Sequence, residues 1–110
     1  MTLLLVALGA AVGAPVRYVV ADLLDERLPW GTIVVNVGGS LLLGVLSGLA
    51  LNGAMMALLG AGFCGALTTY SAFAVQTHQR GARLGALNVV LTVVPALVLC
   101  ALGFWLAARA

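Results

Sequence analysis

The sequence predicts an all-α membrane protein of four transmembrane helices, and three observations predict it. The chain of 110 residues is 64% hydrophobic and 7% charged, whereas a soluble domain averages about 45–50% apolar and about 25% charged residues. No Asp, Glu, Lys or Arg falls between Leu28 and Gln79, or between Leu84 and Ala108. The apolar runs are continuous, not alternating, which suits helices and argues against the strand pattern of a membrane β-barrel. A net charge of +2 from scattered arginines leaves no footprint for a nucleic acid. The start MTLLLVALGA has no basic n-region, so no cleaved leader is expected.

A helix rising about 1.5 Å per residue crosses the hydrocarbon with about 20 apolar residues. Four segments meet that length, at about 2–21, 31–51, 54–76 and 84–107, in a single domain over 1–110. In the first, Gly9 and Gly13 are four apart, a spacing that lets helix backbones approach closely where lipid gives no hydrophobic reason to associate. Arg17 lies toward its end and either snorkels to the interface or anchors structure in an aqueous vestibule. The connection DLLDERLPWG is punctuated by Pro29 and Gly31. Its Asp22, Asp25 and Glu26 read as a solvated patch.

In the second span Ser40, Gly44 and Gly48 continue the small-residue spacing, and Asn36 shares a face with Ser40. A lone asparagine there bridges helices or belongs to a site. Asn52-Gly53 is a turn signal that makes spans two and three a helical hairpin. In the fourth span Asn88 and Thr92 form a second polar stripe, and Pro95 frees the carbonyl of Leu91 or simply kinks the helix. Four thin helices with small-residue faces hardly enclose a pathway alone, which points to an oligomer.

The third span holds the stretch that needs most explanation, GFCGALTTYSAF, residues 62–73. Gly60, Gly62 and Gly65 thin the helix, while Thr68, Thr69 and Ser71 compete for its backbone bonds. Either the hydroxyls bond back to their own carbonyls in a flexed helix, or the helix breaks. Non-helical backbone at membrane depth is tolerated only when buried in protein or lining a water-filled cavity, and such breaks recur at ion sites. Cys64 and Cys100 read as small buried hydrophobes. The sole histidine, His78, lies at a span end with no nucleophile, base and orienter around it, so the chain does not read as an enzyme. A proton-coupled carrier normally wants an intramembrane carboxylate. None is present, which argues for passive conduction.

At these residues a family emerges. GAPVRY, PWGTIVVNVGGSLLLG and above all GFCGALTTYSAF resemble the Fluc (CrcB) fluoride channels of microbes, and the resemblance covers essentially the whole chain. It implies a dual-topology dimer of two antiparallel subunits with two fluoride pathways and a third helix broken at its centre. It further implies one structural, non-transported Na⁺ held by backbone carbonyls of both subunits, which by motif position belong to Gly65 and Thr68. The family's pore phenylalanines fall on Tyr70 and Phe73, its asparagine on Asn36, its fourth-span polar track on Asn88 and Thr92, and its first-helix arginine on Arg17. The implied activity is passive export: HF enters from acidic surroundings, ionises inside, and the trapped anion leaves through the plasma membrane.

Elementary chemistry is compatible with that role. Fluoride is small and tightly hydrated, so a pore must replace water with close donors, and Asn36, Asn88, Thr92 and Ser71 supply them. Aromatic rings present a positive edge, as Phe73 would to an anion. A cation held by neutral carbonyls keeps its full charge and offsets the cost of desolvating the anion. Against the family pattern, Tyr70 replaces a phenylalanine, Ala72 a threonine and Gln76 a glutamate, and Ala96 lacks a hydroxyl found in some relatives.

Arginine placement bears on the partner. Arg27, Arg80 and Arg83 lie on one side, with Arg17 near them, and Arg109 on the other, a bias favouring both termini outside the cytoplasm. The chain is therefore read as a homodimer or as one half of a heterodimer with an oppositely biased homologue, in which it could be a non-conducting partner. A small multidrug-type transporter has a similar plan but needs a glutamate in its first span, and residues 2–21 contain none.

Overall fold

The computed structural model describes residues 2–26 and 28–109; Arg27, used in the topology argument, lies outside them. Among the described residues, four helical stretches are long and apolar enough to cross a membrane. The first is α1 (Thr2–Leu24), the second α2 (Trp30–Gly48) and the fourth α6 (Gly81–Arg109). The third span is assembled from pieces: α3 (Gly53–Met55), a π-helical run Met56–Cys64, α4 (Gly65–Leu67) and α5 (Tyr70–Gln79). Several boundaries differ from the apolar runs. α1 continues to Leu24 past Asp22, and α6 starts at Gly81 instead of near residue 84, because helices extend into the interface where charged side chains are solvated.

Glycines decide which helices touch. A Cβ at Gly9 would strike the Leu58 carbonyl and one at Gly13 the Phe63 carbonyl; from the other side, one at Gly62 would come within 2.7 Å of the Val6 carbonyl. The first and third spans therefore meet backbone to backbone. The second contact repeats the device: Gly44 faces the Cys100 carbonyl, Gly48 the Phe104 carbonyl, and Gly103 returns the approach at 2.9 Å from the Leu41 carbonyl. Close approach of this kind gains dispersion energy that a larger side chain would hold apart. α2 contributes buried residues along most of its length, from Gly31 to Leu46, and is the central helix.

The turn between spans two and three is built differently from a simple Asn-Gly reversal. Ala50 takes the left-handed conformation at φ 53°, a cost of roughly 1–2 kcal/mol for a residue with a Cβ. Asn52 then caps the third span, its Oδ1 accepting from the Met55 amide at 2.9 Å.

The burial pattern is inverted relative to a soluble protein. Buried positions include Thr32, Asn36, Thr69, Asn88 and Thr92, whereas Leu3, Leu23 and Leu97 are among many exposed large apolar residues. Lipid accepts the hydrocarbon, and the amides and hydroxyls must find one another inside. At the far end of α6 the Arg109 guanidinium stacks 4.3 Å from the Trp105 ring centroid, a pairing suited to the interface.

Candidate functional site

The helical backbone of the third span stops between Leu67 and Tyr70. Thr68 (φ −84°, ψ 157°) and Thr69 (φ −151°, ψ 117°) are both extended. The side chain of Asn36 on α2 completes what the helix loses. Its Oδ1 accepts from the Thr69 amide at 2.7 Å, and its Nδ2 donates to the Thr69 carbonyl at 3.2 Å. Asn36 thus pairs with Thr69 as a neighbouring strand would, satisfying two groups that could not be left bare at this depth. Ser40, one turn on, donates to the Asn36 carbonyl at 2.7 Å.

The consequence falls on the carbonyls before the interruption. In a continuous helix the Thr69 amide would serve the Gly65 carbonyl; here it goes to Asn36. The Ala72 amide, which would serve the Thr68 carbonyl, is taken instead by Thr69 Oγ1 at 3.2 Å, the N-cap of α5. Gly65 and Thr68 are therefore left with backbone oxygens whose helical donors have been drawn away. The Thr68 hydroxyl donates elsewhere, to the Cys64 carbonyl at 2.9 Å.

These residues border an open groove of about 600 Å³. Its lining includes Asn36, Gly65, Thr68, Tyr70, Phe73 and Thr92, six of the nine residues assigned a pathway, ion or anchoring role from the sequence. The Tyr70 and Phe73 rings lie side by side, centroids 6.2 Å apart and planes tilted by 48°. Tyr70 is 81% exposed, standing away from the chain that carries it. Gly39 keeps the floor open opposite the break, since a Cβ there would strike the Thr68 methyl.

The other candidates lie elsewhere. Ser71 does not line the groove; it is exposed, with its Oγ 3.3 Å from Thr69 Oγ1. Asn88 is 1% exposed and serves as a tie between helices, its Nδ2 donating to Thr77 Oγ1 at 2.9 Å while Thr92 Oγ1 donates to its Oδ1 at 3.3 Å. Arg17 is half-buried seven residues before the end of α1, about 10 Å from it along the axis. That is deeper than a position near the end of the span. No hydrogen bond or ion pair of its side chain is formed among the described residues.

The acidic connection requires a correction. Asp25 is not part of a solvated patch. Its Oδ1 accepts from the Thr32 amide at 3.1 Å, and its Oδ2 accepts from Thr32 Oγ1 and Gln76 Nε2, both at 3.2 Å. Thr77, Thr32 and Asp25 were missed as polar partners because their contacts join segments far apart in sequence, and no local spacing announces them.

Comparison with known proteins supplies the next finding. The family profile described as CrcB-like protein, Camphor Resistance (CrcB), matches residues 4–104. The chain belongs to the CrcB-like family. The CrcB-like chain is 47% identical over 110 residues to the Fluoride-specific ion channel FluC 2 of Rhodococcus jostii (strain RHA1), with 94% of this chain and 96% of that protein covered. It is 43% identical over 119 residues to a Fluoride-specific ion channel FluC 1 of Streptomyces avermitilis, covering 97% and 96%. At greater distance it is 36% identical over 108 residues to the corresponding FluC 1 of Ligilactobacillus salivarius (strain UCC118), covering 92% and 95%. The CrcB-like chain is a multi-pass membrane protein.

Proposed function

We propose that this chain is a subunit of a fluoride-selective channel that lets cytoplasmic fluoride leave the cell passively across the plasma membrane. The observation that carries the reading is the Asn36–Thr69 pair, which holds an interruption of the third span open beside a groove bearing two aromatic rings. The names of the relatives, matched over nearly their full length, support the choice of ion.

The parts fit the task. Phe73 and Tyr70 present ring edges, and Tyr70 adds a hydroxyl. One of the two Asn36 Nδ2 hydrogens is committed to Thr69, leaving the second for a ligand. Thr92 lies on the groove wall, with its hydroxyl hydrogen committed to Asn88 Oδ1. Asn88, Thr77 and Ser71 are one step back and act by orienting these groups, not by lining the groove. Arg17, deep in α1, adds a fixed positive charge to the potential an anion meets.

A Na⁺ ion fits the oxygens of Gly65 and Thr68. A hard cation takes neutral oxygen ligands as well as carboxylates, and these two carbonyls have lost their helical donors. When bound, such an ion would supply a positive charge that lowers the cost of bringing an anion into a low-dielectric interior. Two carbonyls leave its coordination incomplete, and in this proposal a second subunit contributes further oxygens. Gly65 and Tyr70 are exposed on the groove side, and an antiparallel partner seated there would cover both. The arginine bias leaves that partner to be a second copy or an oppositely biased homologue.

The test is fluoride efflux from liposomes holding the purified chain alone, measured with Na⁺ and with a bulky organic cation replacing it. Rapid efflux that excludes chloride and requires Na⁺ on assembly supports the proposal, and efflux from the chain alone shows that no second gene product is needed. No efflux from a discrete dimer of this chain defeats the homodimer; no efflux after adding an oppositely biased homologue defeats the channel.

A further inference from the structure

The ten-residue helix α5 carries both aromatic residues of the groove, yet none of its residues is fully buried; Ala72, Phe73 and Ala74 are half-buried, and Gly85 of α6 lets the backbones meet at the Thr77 carbonyl. Packing of this extent leaves part of its direction to be set by other bonds. Both of its ends are also departures from helix: the extended Thr68 and Thr69 precede it, and Gly81 at φ 79° follows. Polar bonds add three points of hold. Asn36 grips Thr69 at its start, Asn88 grips Thr77, and Asp25 with Thr32 grips Gln76 near its end.

We propose that Asp25 is a positioning residue: its carboxylate, seated on the N-terminus of α2, holds Gln76 and so sets the direction in which α5 carries Tyr70 and Phe73 into the groove. The inference rests on the pathway reading above, and goes beyond it by placing a control point at the α1–α2 connection.

Three features of the contact argue for more than a surface bond. Pro29 at the N-cap of α2 offers no side-chain acceptor, and Asp25 supplies one from four residues earlier by accepting from the Thr32 amide at 3.1 Å. A helix N-terminus favours an anion there. Second, the Gln76 amide has only one workable orientation. Turned over, its oxygen would face the carboxylate and the Thr32 hydroxyl; as it stands, Nε2 donates to both at 3.2 Å. Third, this orientation leaves Gln76 Oε1 buried with no partner among the described residues, a cost of about 1–3 kcal/mol. A glutamine at a span end with nothing to hold would turn to interfacial water. The charge-assisted bond to Asp25 outweighs that escape.

Among the described residues, the surroundings of the carboxylate are few. From α5, Arg80 lies one turn beyond Gln76 and is occupied with the Gln76 carbonyl at 3.5 Å and the Glu26 carbonyl at 3.2 Å. From α2, the facing group is the neutral Thr32. On its own segment Asp22 and Glu26 are exposed. The lever arm is short, because Phe73 is one turn from Gln76 on the same helix.

The test exchanges donor and acceptor in the full-length protein reconstituted in liposomes, reading fluoride efflux and deuterium exchange of peptide 70–79. Gln76→Glu sets two carboxylates against each other. Efflux should fall on the order of tenfold near neutral pH and recover as the medium is acidified, since two facing carboxylates lose their repulsion once one is protonated. Asp25→Asn places an amide against the Gln76 amide and should lower efflux without acid recovery. Combining Asp25→Asn with Gln76→Glu restores one donor and one acceptor, and efflux should return to within about threefold of the parent, with exchange of 70–79 back to the parent rate. A double variant as impaired as Gln76→Glu alone, or single variants that change neither efflux nor exchange, overturns the inference. If the parent shows no fluoride efflux either alone or with an oppositely biased homologue, the pathway reading fails instead, and the exchange pattern of 70–79 still decides whether Asp25 holds α5.

Discussion

Replacing Asn36 with leucine removes both hydrogen bonds to Thr69 while keeping a side chain branched at the same carbon. Asn36 and Thr69 are each 9% exposed, so neither the Thr69 amide nor its carbonyl has water to fall back on. Each orphaned buried group costs about 1–3 kcal/mol, and together they amount to about 2–6 kcal/mol. Interhelical bonds in membranes come out smaller, up to about 1.7 kcal/mol, because the unfolded chain also finds partners in lipid; the expected loss is therefore near 2 kcal/mol. At 1.4 kcal/mol per factor of ten, that favours opening of the break by about 30-fold. The assay is amide exchange at Thr69, followed by NMR in micelles. Asn36→Leu should accelerate it by that factor. Asn36→Asp keeps an acceptor for the Thr69 amide but sets an oxygen against the Thr69 carbonyl, so it should leave the amide protected while abolishing efflux. Thr69 exchange within twofold of the parent in Asn36→Leu would refute the reasoning, since the pair would then not be holding the backbone.

Four further outcomes follow from the same geometry. Gly44→Ala drives a methyl into the Cys100 carbonyl and should lower the thermal midpoint of the purified protein clearly, while Gly38→Ala, with nothing within 4 Å, should leave it unchanged. Thr77→Val strands the Asn88 amide and should destabilise by about 1–2 kcal/mol in chemical unfolding from mixed micelles. Ala50→Gly relieves the left-handed strain at the second turn and should stabilise by about 0.5–1 kcal/mol in the same measurement. Tyr70→Phe keeps the ring of an exposed residue and should leave stability within about 0.5 kcal/mol of the parent, so any change in efflux reports on the hydroxyl alone.

The spans were legible because their signal is additive: each apolar residue between Leu28 and Gln79 contributes to the same conclusion. The glycines of the first and second spans were legible for a similar reason, since a four-residue spacing places them on one face whatever they meet. What they meet was not legible. That Gly9 faces the third span while Gly44 faces the fourth depends on a helix arrangement that no local pattern encodes. The π-helical run 56–64 left no trace in composition, because a shift from the i+4 to the i+5 acceptor changes a register and not a residue preference. The glycines and hydroxyls of residues 60–71 marked an unsettled stretch, but the place where the backbone leaves the helix depends on Asn36, thirty-three residues away. Asp25 was misread for the opposite reason. Charges in a connection are usually solvated, and only the folded chain shows Thr32 and Gln76 converging on it.

The length of α6 has a consequence for the membrane that holds it. Its uncharged stretch 84–108 would run roughly 37 Å at 1.5 Å per residue, longer than a hydrocarbon thickness of about 30 Å. Leaning alone would absorb the difference at roughly 35° from the bilayer normal, near the upper end of what spanning helices adopt. The Trp105–Arg109 stack suits one end to headgroup level, so a thinner bilayer would swing the other end, where Asn88 is tied to Thr77. Acyl-chain length thereby becomes a mechanical input to the segment bearing the aromatic pair, and transport rates compared across lipids of graded thickness should follow it.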